Sequence, residues 1–113
     1  MTQFISNLKK FNNSVNRSLL YKNNESLSKE VEYQLISNWQ KNKDEKSLNK
    51  LLAAYQKLVN SILRKYLSYG ISQEDLFQEG MIGLVYAIDK FDVSRGFRLS
   101  TYSRWWIKAV IQN

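Results

Sequence analysis

The stretch LNKLLAAYQKLVNSILRKYLSYG, residues 48–70, decides the fold class. Its apolar residues recur in steps of three and four: Leu48, Leu51, Leu52, Tyr55, Leu58, Val59, Ile62, Leu63, Tyr66 and Leu67. That is the period of one face of an α-helix, because every third or fourth side chain returns to the same side. Gly70 stands where a helix ends in a left-handed residue. Asp44 is placed to cap the other end. The pattern predicts one long amphipathic helix over this stretch.

The flanking segments read the same way. Upstream, Ser28 is a plausible N-cap, with Glu30 and Glu32 in the first turn, where the helix dipole favours anions. Val31, Leu35, Ile36 and Trp39 then form an apolar stripe, and Lys41-Asn42-Lys43 ends it. Downstream, Ser72-Gln73-Glu74-Asp75 resembles a capping box with Asp in place of Glu, opening a helix that runs to about Phe91. Gly80 and Gly83 lie inside it. Each costs up to ~1 kcal/mol against Ala, so close helix contact is the expected reason for them. Asp92-Val93-Ser94-Arg95-Gly96 reads as a turn, and Ser100 or Thr101 as the cap of a fourth helix. Val110 and Ile111 are followed by no stop signal, so that helix reads as cut at residue 113.

Residues 1–27 are rich in Asn, Ser and Lys. Phe4, Leu8, Phe11 and Val15 allow a weak amphipathic helix, which Asn12-Asn13 and Asn23-Asn24 interrupt. The expectation is an all-α fold: a compact helical domain of three to four main helices over residues 28–113, behind a partly ordered N-terminal arm over residues 1–27.

Composition narrows the chemistry. The 113 residues contain no Cys and no His, which removes disulfides, thiolate metal sites, and the commonest general base and metal ligand. No metal site, cofactor or catalysis is expected. With no Pro and four Gly, long helices are favoured. No apolar run approaches the ~20 residues of a membrane span. Met1 to Leu8 lacks a signal-peptide pattern, so a cytoplasmic protein is expected. The net charge is +7, which suits a nucleic acid or another acidic partner. The charge is uneven. Residues 71–91 carry four acids against one Lys, while residues 92–113 carry four cations against one Asp. Two kinds of surface suggest two partners.

Two constellations stand out. Asp75, Gln78 and Glu79, at i, i+3 and i+4, share one helix face. They are either a solvated face or a docking face for a basic protein. Phe97-Arg98-Leu99-Ser100-Thr101-Tyr102-Ser103-Arg104-Trp105-Trp106-Ile107-Lys108 interleaves four aromatics with three cations. Single-stranded nucleic acid suits that mixture, since bases stack on rings and phosphates pair with cations. The simpler reading is a helix with one core Trp, one half-exposed Trp and solvated charge.

These segments occur in a recognisable order: Asp75-Leu76-Phe77-Gln78-Glu79-Gly80-Met81-Ile82-Gly83-Leu84, then Ala87 to Asp92, Arg95-Gly96-Phe97, Ser100-Thr101-Tyr102 and Trp105-Trp106-Ile107-Lys108. Together they closely resemble conserved region two of bacterial RNA polymerase sigma factors of the housekeeping and heat-shock type. The similarity extends over residues 28–113 and is densest from Leu58 onward. Leu67-Ser68-Tyr69-Gly70 and Trp106-Ile107-Lys108-Ala109 lean towards the heat-shock subgroup.

The resemblance implies roles by position. Asp75, Gln78 and Glu79 would dock on the clamp coiled coil of the polymerase beta-prime subunit. Phe97, Arg98, Tyr102, Trp105 and Trp106 would open the minus-ten promoter element and hold its non-template strand, with Ser100 and Thr101 in the same DNA-binding set. Tyr102 would stack a flipped adenine, and Trp105 and Trp106 would form the wedge at the duplex edge. Such a wedge replaces lost base stacking, which costs a few kcal/mol per step. Arg98, Arg104 and Lys108 would bind phosphates. Ala109 and Gln112 would read the upstream edge, Gln by pairing with adenine and Ala by touching a thymine methyl. Three residues depart from the housekeeping pattern. Leu99 replaces an aromatic, Tyr55 stands in place of an Asn beside a second flipped-base pocket, and Arg104 is an extra cation next to the wedge. The implied function is binding of core polymerase and melting of the minus-ten element, with the chemistry left to the polymerase. The alternative is an interaction module that occupies the clamp, or binds an anti-sigma protein, without opening DNA.

Overall fold

The computed structural model describes residues 26–112, and among these it contains five α-helices, two short 3-10 segments and no strand. The expectation for the N-terminal arm falls almost wholly on residues 1–25, outside the described ones. The helices are α1 (Lys29–Asn42), α2 (Glu45–Ala54), α3 (Gln56–Leu63), α4 (Gln73–Lys90) and α5 (Leu99–Gln112). Arg64–Tyr69 and Val93–Arg95 are 3-10.

The ends of α1 follow the local sequence. The Val31 N–H donates to Ser28 Oγ at 3.2 Å. Lys43 turns left-handed at φ 51°, and its N–H closes on the Trp39 carbonyl. A non-Gly residue in that conformation needs support. Lys43 Nζ stands 4.8 Å from the centre of the Trp39 ring and 3.4 Å from Asp89 on α4, so its side chain is held at both sides.

The long helix expected after Asp44 is instead two helices and a 3-10 turn. Tyr55 has φ −98° and ψ 2°, which bends the chain, yet its N–H still bonds Leu51 and its carbonyl accepts from Val59. The bend occurs where the Tyr55 hydroxyl reaches Glu32 on α1, a tertiary demand that periodicity does not record. From Arg64 the winding tightens to about three residues per turn, so the apolar face drifts and Leu67 ends up exposed. Gly70 takes the expected left-handed conformation at φ 81°. Asp44 occupies the N-cap position of α2 without bonding its backbone. Its carboxylate accepts from the Ser47 hydroxyl at 2.6 Å instead.

α4 and α5 form the most extensive helix pair, with α3 packed against both. The two interior glycines explain how they come so close. A Cβ on Gly83 would lie 2.9 Å from the Ile107 Cα and 2.9 Å from the Trp106 carbonyl oxygen. One on Gly80 would lie 2.6 Å from Val59 Cγ1. Phe77, Met81, Leu84 and Ile88 of α4 meet Leu99 and Ile107 of α5 in a fully closed core. α1 and α2 cover one flank with Ile36, Leu51 and Leu52.

α1 also completes the ends of the other two long helices. Gln40 Nε2 donates to the Ile88 and Phe91 carbonyls, both at 2.8 Å, at the C-terminus of α4. Helix-terminal carbonyls lack intrahelical donors, so a side chain from elsewhere is a full substitute. The Tyr33 hydroxyl donates to the Phe97 carbonyl at 2.5 Å, just before α5. At the start of α5 neither Ser100 nor Thr101 is the cap. The helix begins at Leu99, whose N–H donates to Glu32 Oε2 at 3.1 Å. A carboxylate at a helix N-terminus meets both the orphan donors and the positive dipole end.

Candidate nucleic-acid interface

α5 is amphipathic along its whole length. Leu99, Ser103, Ile107 and Ile111 are buried against α4, and Thr101, Arg104, Trp105, Lys108 and Gln112 form the exposed side. The steps of three and four bring these five onto one face. Trp105 is 67% exposed, far beyond what a core Trp shows, and it stands between the two cations in sequence. No ion pair engages Arg104 or Lys108 among the described residues.

A continuous line of rings runs from the turn into this face. Phe91 packs edge-on to Phe97 at 5.6 Å between centroids, and Phe97 meets Tyr102 at 6.3 Å. Tyr102 meets Trp106 at 6.3 Å, and Trp106 meets Trp105 at 5.6 Å, almost perpendicular. Tyr86 of α4 supports Trp106 from below at 5.8 Å. Edge-on contacts at Phe91–Phe97, Tyr102–Trp106 and Trp105–Trp106, and tilted ones at Phe97–Tyr102 and Tyr86–Trp106, hold the rings in place. Phe97 is 38% exposed, and Tyr102 and Trp106 are half-buried. The Trp106 indole N–H is buried with no acceptor among the described residues, so this ring sits in an apolar seat. The structure thus brings together Phe97, Tyr102, Arg104, Trp105, Trp106 and Lys108. Ala109 is half-buried at the edge of the face. Gln112 is exposed, with its Nε2 donating to the Tyr66 hydroxyl at 3.0 Å.

Arg98 and Ser100 lie apart from that surface. Arg98 Nε and Nη2 each donate to the Glu32 carboxylate at 3.0 Å, and Nη2 also bonds the Leu27 carbonyl at 2.8 Å. Glu32 has no exposure at all. It accepts from the two Arg98 nitrogens, the Tyr55 hydroxyl and the Leu99 N–H, so the isolated-charge penalty of burial is met by four donors. Burial pushes the Glu32 carboxyl up. The hydrogen bonds from Arg98, Tyr55 and Leu99 outweigh it and hold the group below the ordinary carboxylate value. Burial and the neighbouring carboxylate push the Tyr55 hydroxyl well above its ordinary value. Glu32, Tyr55, Arg98 and Ser100 line a recess of about 260 Å³, floored by Leu58.

Asp75, Gln78 and Glu79 share one side of α4, as their spacing requires, with Asp75 and Glu79 exposed and Gln78 half-buried. They rim a cleft of about 700 Å³ whose walls are Ile71, Ile82, Tyr86, Val110 and Ile111. Ile71 is 48% exposed. An acidic rim over apolar walls fits a basic, amphipathic partner better than bare solvent. Asp75 and Glu79 have no ion-pair partner among the described residues.

Sequence reasoning missed Glu32, Tyr33 and Gln40 as organisers of this region. A signal for Glu32 existed, because it falls in phase with Leu35, Ile36 and Trp39 on the buried face of α1. Val31, assigned to that stripe, is 48% exposed instead. No local signal marked Tyr33 or Gln40, whose partners lie 64 and 48 or more residues away.

Comparison with known proteins identifies the family of the chain. A family profile described as Sigma-70 region 2 matches residues 51–113. The RNA polymerase sigma factor RpoH of Zymomonas mobilis is 44% identical over 86 residues, covering 76% of this chain and 28% of that protein. RpoH of Caulobacter vibrioides is 38% identical over 86 residues, covering 76% of this chain and 29% of its own length. The RNA polymerase sigma factor SigA of Clostridium acetobutylicum is 45% identical over 71 residues, covering 63% of this chain and 19% of that protein. The chain thus spans little more than a quarter of the RpoH relatives. The leaning towards the heat-shock subgroup agrees with the longer matches to RpoH. With a region 2 profile across residues 51–113 and such relatives on either side of the subgroup division, the chain belongs to the sigma-70 family of RNA polymerase sigma factors.

Proposed function

We propose that this chain binds core RNA polymerase and recognises and melts the minus-ten promoter element, acting by binding energy alone and performing no catalysis. The observation that carries the reading is the α5 surface. A Trp that is two-thirds exposed lies between Arg104 and Lys108 and abuts a braced line of rings. Trp105 and Trp106 replace stacking at the edge of the opened duplex. Tyr102 receives an unstacked base, with Phe97 beside it. Arg104 and Lys108 pair with phosphates of the non-template strand, Thr101 lies on the same face, and Ala109 and Gln112 flank its upstream end. The acidic cleft of Asp75, Gln78 and Glu79 docks on a basic helical element of the polymerase, which we assign to the beta-prime clamp coiled coil.

The test is binding of a fluorescent non-template-strand oligonucleotide carrying a minus-ten-like sequence, by the chain alone and with core polymerase. A scrambled oligonucleotide serves as control. Preferential binding that depends on Trp105 and Tyr102 supports the reading. Equal binding of both strands would leave only an electrostatic surface. Tight polymerase binding with no strand binding would favour an interaction module that occupies the clamp.

A further inference from the structure

We propose that Arg98 is a positioning residue for the strand-binding segment, acting through Glu32, and not a phosphate contact. This rests on the nucleic-acid reading of α5. The side chain is locked before any ligand arrives. Two of its three nitrogens donate to one buried carboxylate, and one of these also holds the Leu27 carbonyl. Turning Nε or Nη2 towards a phosphate would break up to three hydrogen bonds and leave Glu32 charged, fully enclosed and short of donors, so only the Nη1 edge of a side chain that is 41% exposed faces solvent. That loss is far larger than the return from one solvent-exposed phosphate contact.

What the pair controls is the start of α5. Glu32 Oε2 takes the Leu99 N–H at 3.1 Å while Arg98, the preceding residue, grips the same carboxylate. At the next residue of α1, Tyr33 fixes the Phe97 carbonyl. Three consecutive residues of the aromatic–basic segment are thereby fixed to one helix turn of α1. Phe97 and Tyr102 are the outer rings that this attachment orients. A fork of two parallel N–H donors fixes angle as well as distance, which a lysine ammonium cannot do. Glu32 and Arg98 thus set where the rings stand relative to Arg104 and Lys108 without touching the strand.

The experiment compares the wild-type chain with Arg98→Lys, Arg98→Gln, Glu32→Gln and Lys108→Gln. Affinity for the non-template oligonucleotide is measured over a range of salt and corrected for the folded fraction from circular dichroism melts. A positioning role predicts that Arg98→Lys does not rescue. Arg98→Lys, Arg98→Gln and Glu32→Gln each weaken binding by about tenfold, the equivalent of one charge-assisted hydrogen bond. The salt slope stays at the wild-type value in all three. The double variant Glu32→Gln/Arg98→Gln is no weaker than the worse single variant, because both remove the same lock. Lys108→Gln instead lowers the slope by about 0.7, as loss of one phosphate contact on a single strand requires. Wild-type affinity in Arg98→Lys overturns the inference, as does a slope change of about 0.7 in Arg98→Gln. Unchanged affinity per folded molecule in all three would reduce the pair to a stabilising contact and also overturn it. Failure of the wild-type chain to bind the strand would instead refute the nucleic-acid reading, and the inference with it.

Discussion

The backbone of Ile107 passes so close to Gly83 that a single added methyl carbon would stand 2.9 Å from the Ile107 Cα. The neighbouring Trp106 carbonyl is equally near, so the atoms in the way are main chain on both counts. The position of the aromatic helix is therefore set by an absent side chain on α4. Trp106 sits directly above this crossing, braced by Tyr86 of α4.

Gly83→Ala tests how tightly that crossing governs binding. Alanine favours the helix by up to about 1 kcal/mol over glycine, yet main chain cannot swing aside as a side chain can. We expect a net destabilisation of about 1–3 kcal/mol, the range for overpacking, read from the urea midpoint. Gly80→Ala would bring its Cβ to 2.6 Å from Cγ1 of Val59, a fully buried β-branched side chain with little freedom to turn, so its midpoint should fall as well. A Gly83→Ala protein as stable as wild type would show that α5 shifts freely on α4.

The acidic cleft predicts a charge-dependent partner. Glu79 is exposed and is not needed by the core, so Glu79→Lys should leave the melting midpoint within the ~0.5 kcal/mol usual for surface changes. Binding to core polymerase should weaken, by about tenfold at low salt and by less as salt rises, because the lost attraction is screened. A pull-down or titration against core polymerase reads both. Unaltered binding in a folded variant would move the docking site elsewhere.

Trp105 and Tyr102 separate stacking from packing. Trp105 is 67% exposed, so Trp105→Ala should change stability by no more than about 0.5 kcal/mol. The same change should cost about 1–3 kcal/mol in strand binding, the worth of one stacked base. Tyr102 is half-buried between Phe97 and Trp106, so Tyr102→Ala should reduce both stability and binding. Its stability loss should stay below the ~3–5 kcal/mol of a fully buried aromatic. Denaturation and anisotropy on the same samples distinguish the two. A Trp105 variant with wild-type affinity would remove the exposed ring from the strand site.

What was legible in the chain was local. Ser28, Ser72, Gly70 and the Asp92–Gly96 turn are signals read within a few residues, and each stands where the pattern put it. Gly80 and Gly83 were legible because glycine in a helix interior needs a reason, and close approach is the usual one. What escaped was supplied from a distance. The cap of α5 comes from Glu32, which is 67 residues away, and the C-terminal cap of α4 comes from Gln40. The helix breaks at Tyr55, whose hydroxyl meets the same carboxylate, while its own neighbours Ala53, Ala54 and Gln56 give no hint of a break. Arg98 looked like any exposed cation in an aromatic segment until α1 was placed beside it.

The Glu32 site predicts how stability follows pH. In the unfolded chain Glu32 titrates near the ordinary value of about 4.3. In the folded chain its four donors hold it lower, against the opposing push of burial. Below the ordinary value the unfolded state therefore binds more protons than the folded one, and stability falls with falling pH. The contribution is fully present above about pH 5 and is lost as pH falls through the folded value. Asp92, held low by the Ser94 hydroxyl and backbone, adds a loss of the same sign. The two are separated by comparing wild type with Glu32→Gln, since Asp92 is common to both. Urea midpoints measured from about pH 7 down to about pH 3.5 should fall more steeply in wild type, and the gap between the proteins should narrow as acid protonates Glu32. At neutral pH the variant should be the less stable one, because its amide offers a donor where Arg98 and the Leu99 N–H need an acceptor. A gap that stays constant across this range would mean that Glu32 keeps the same proton occupancy folded and unfolded, and that its carboxylate does not hold the start of α5 by charge.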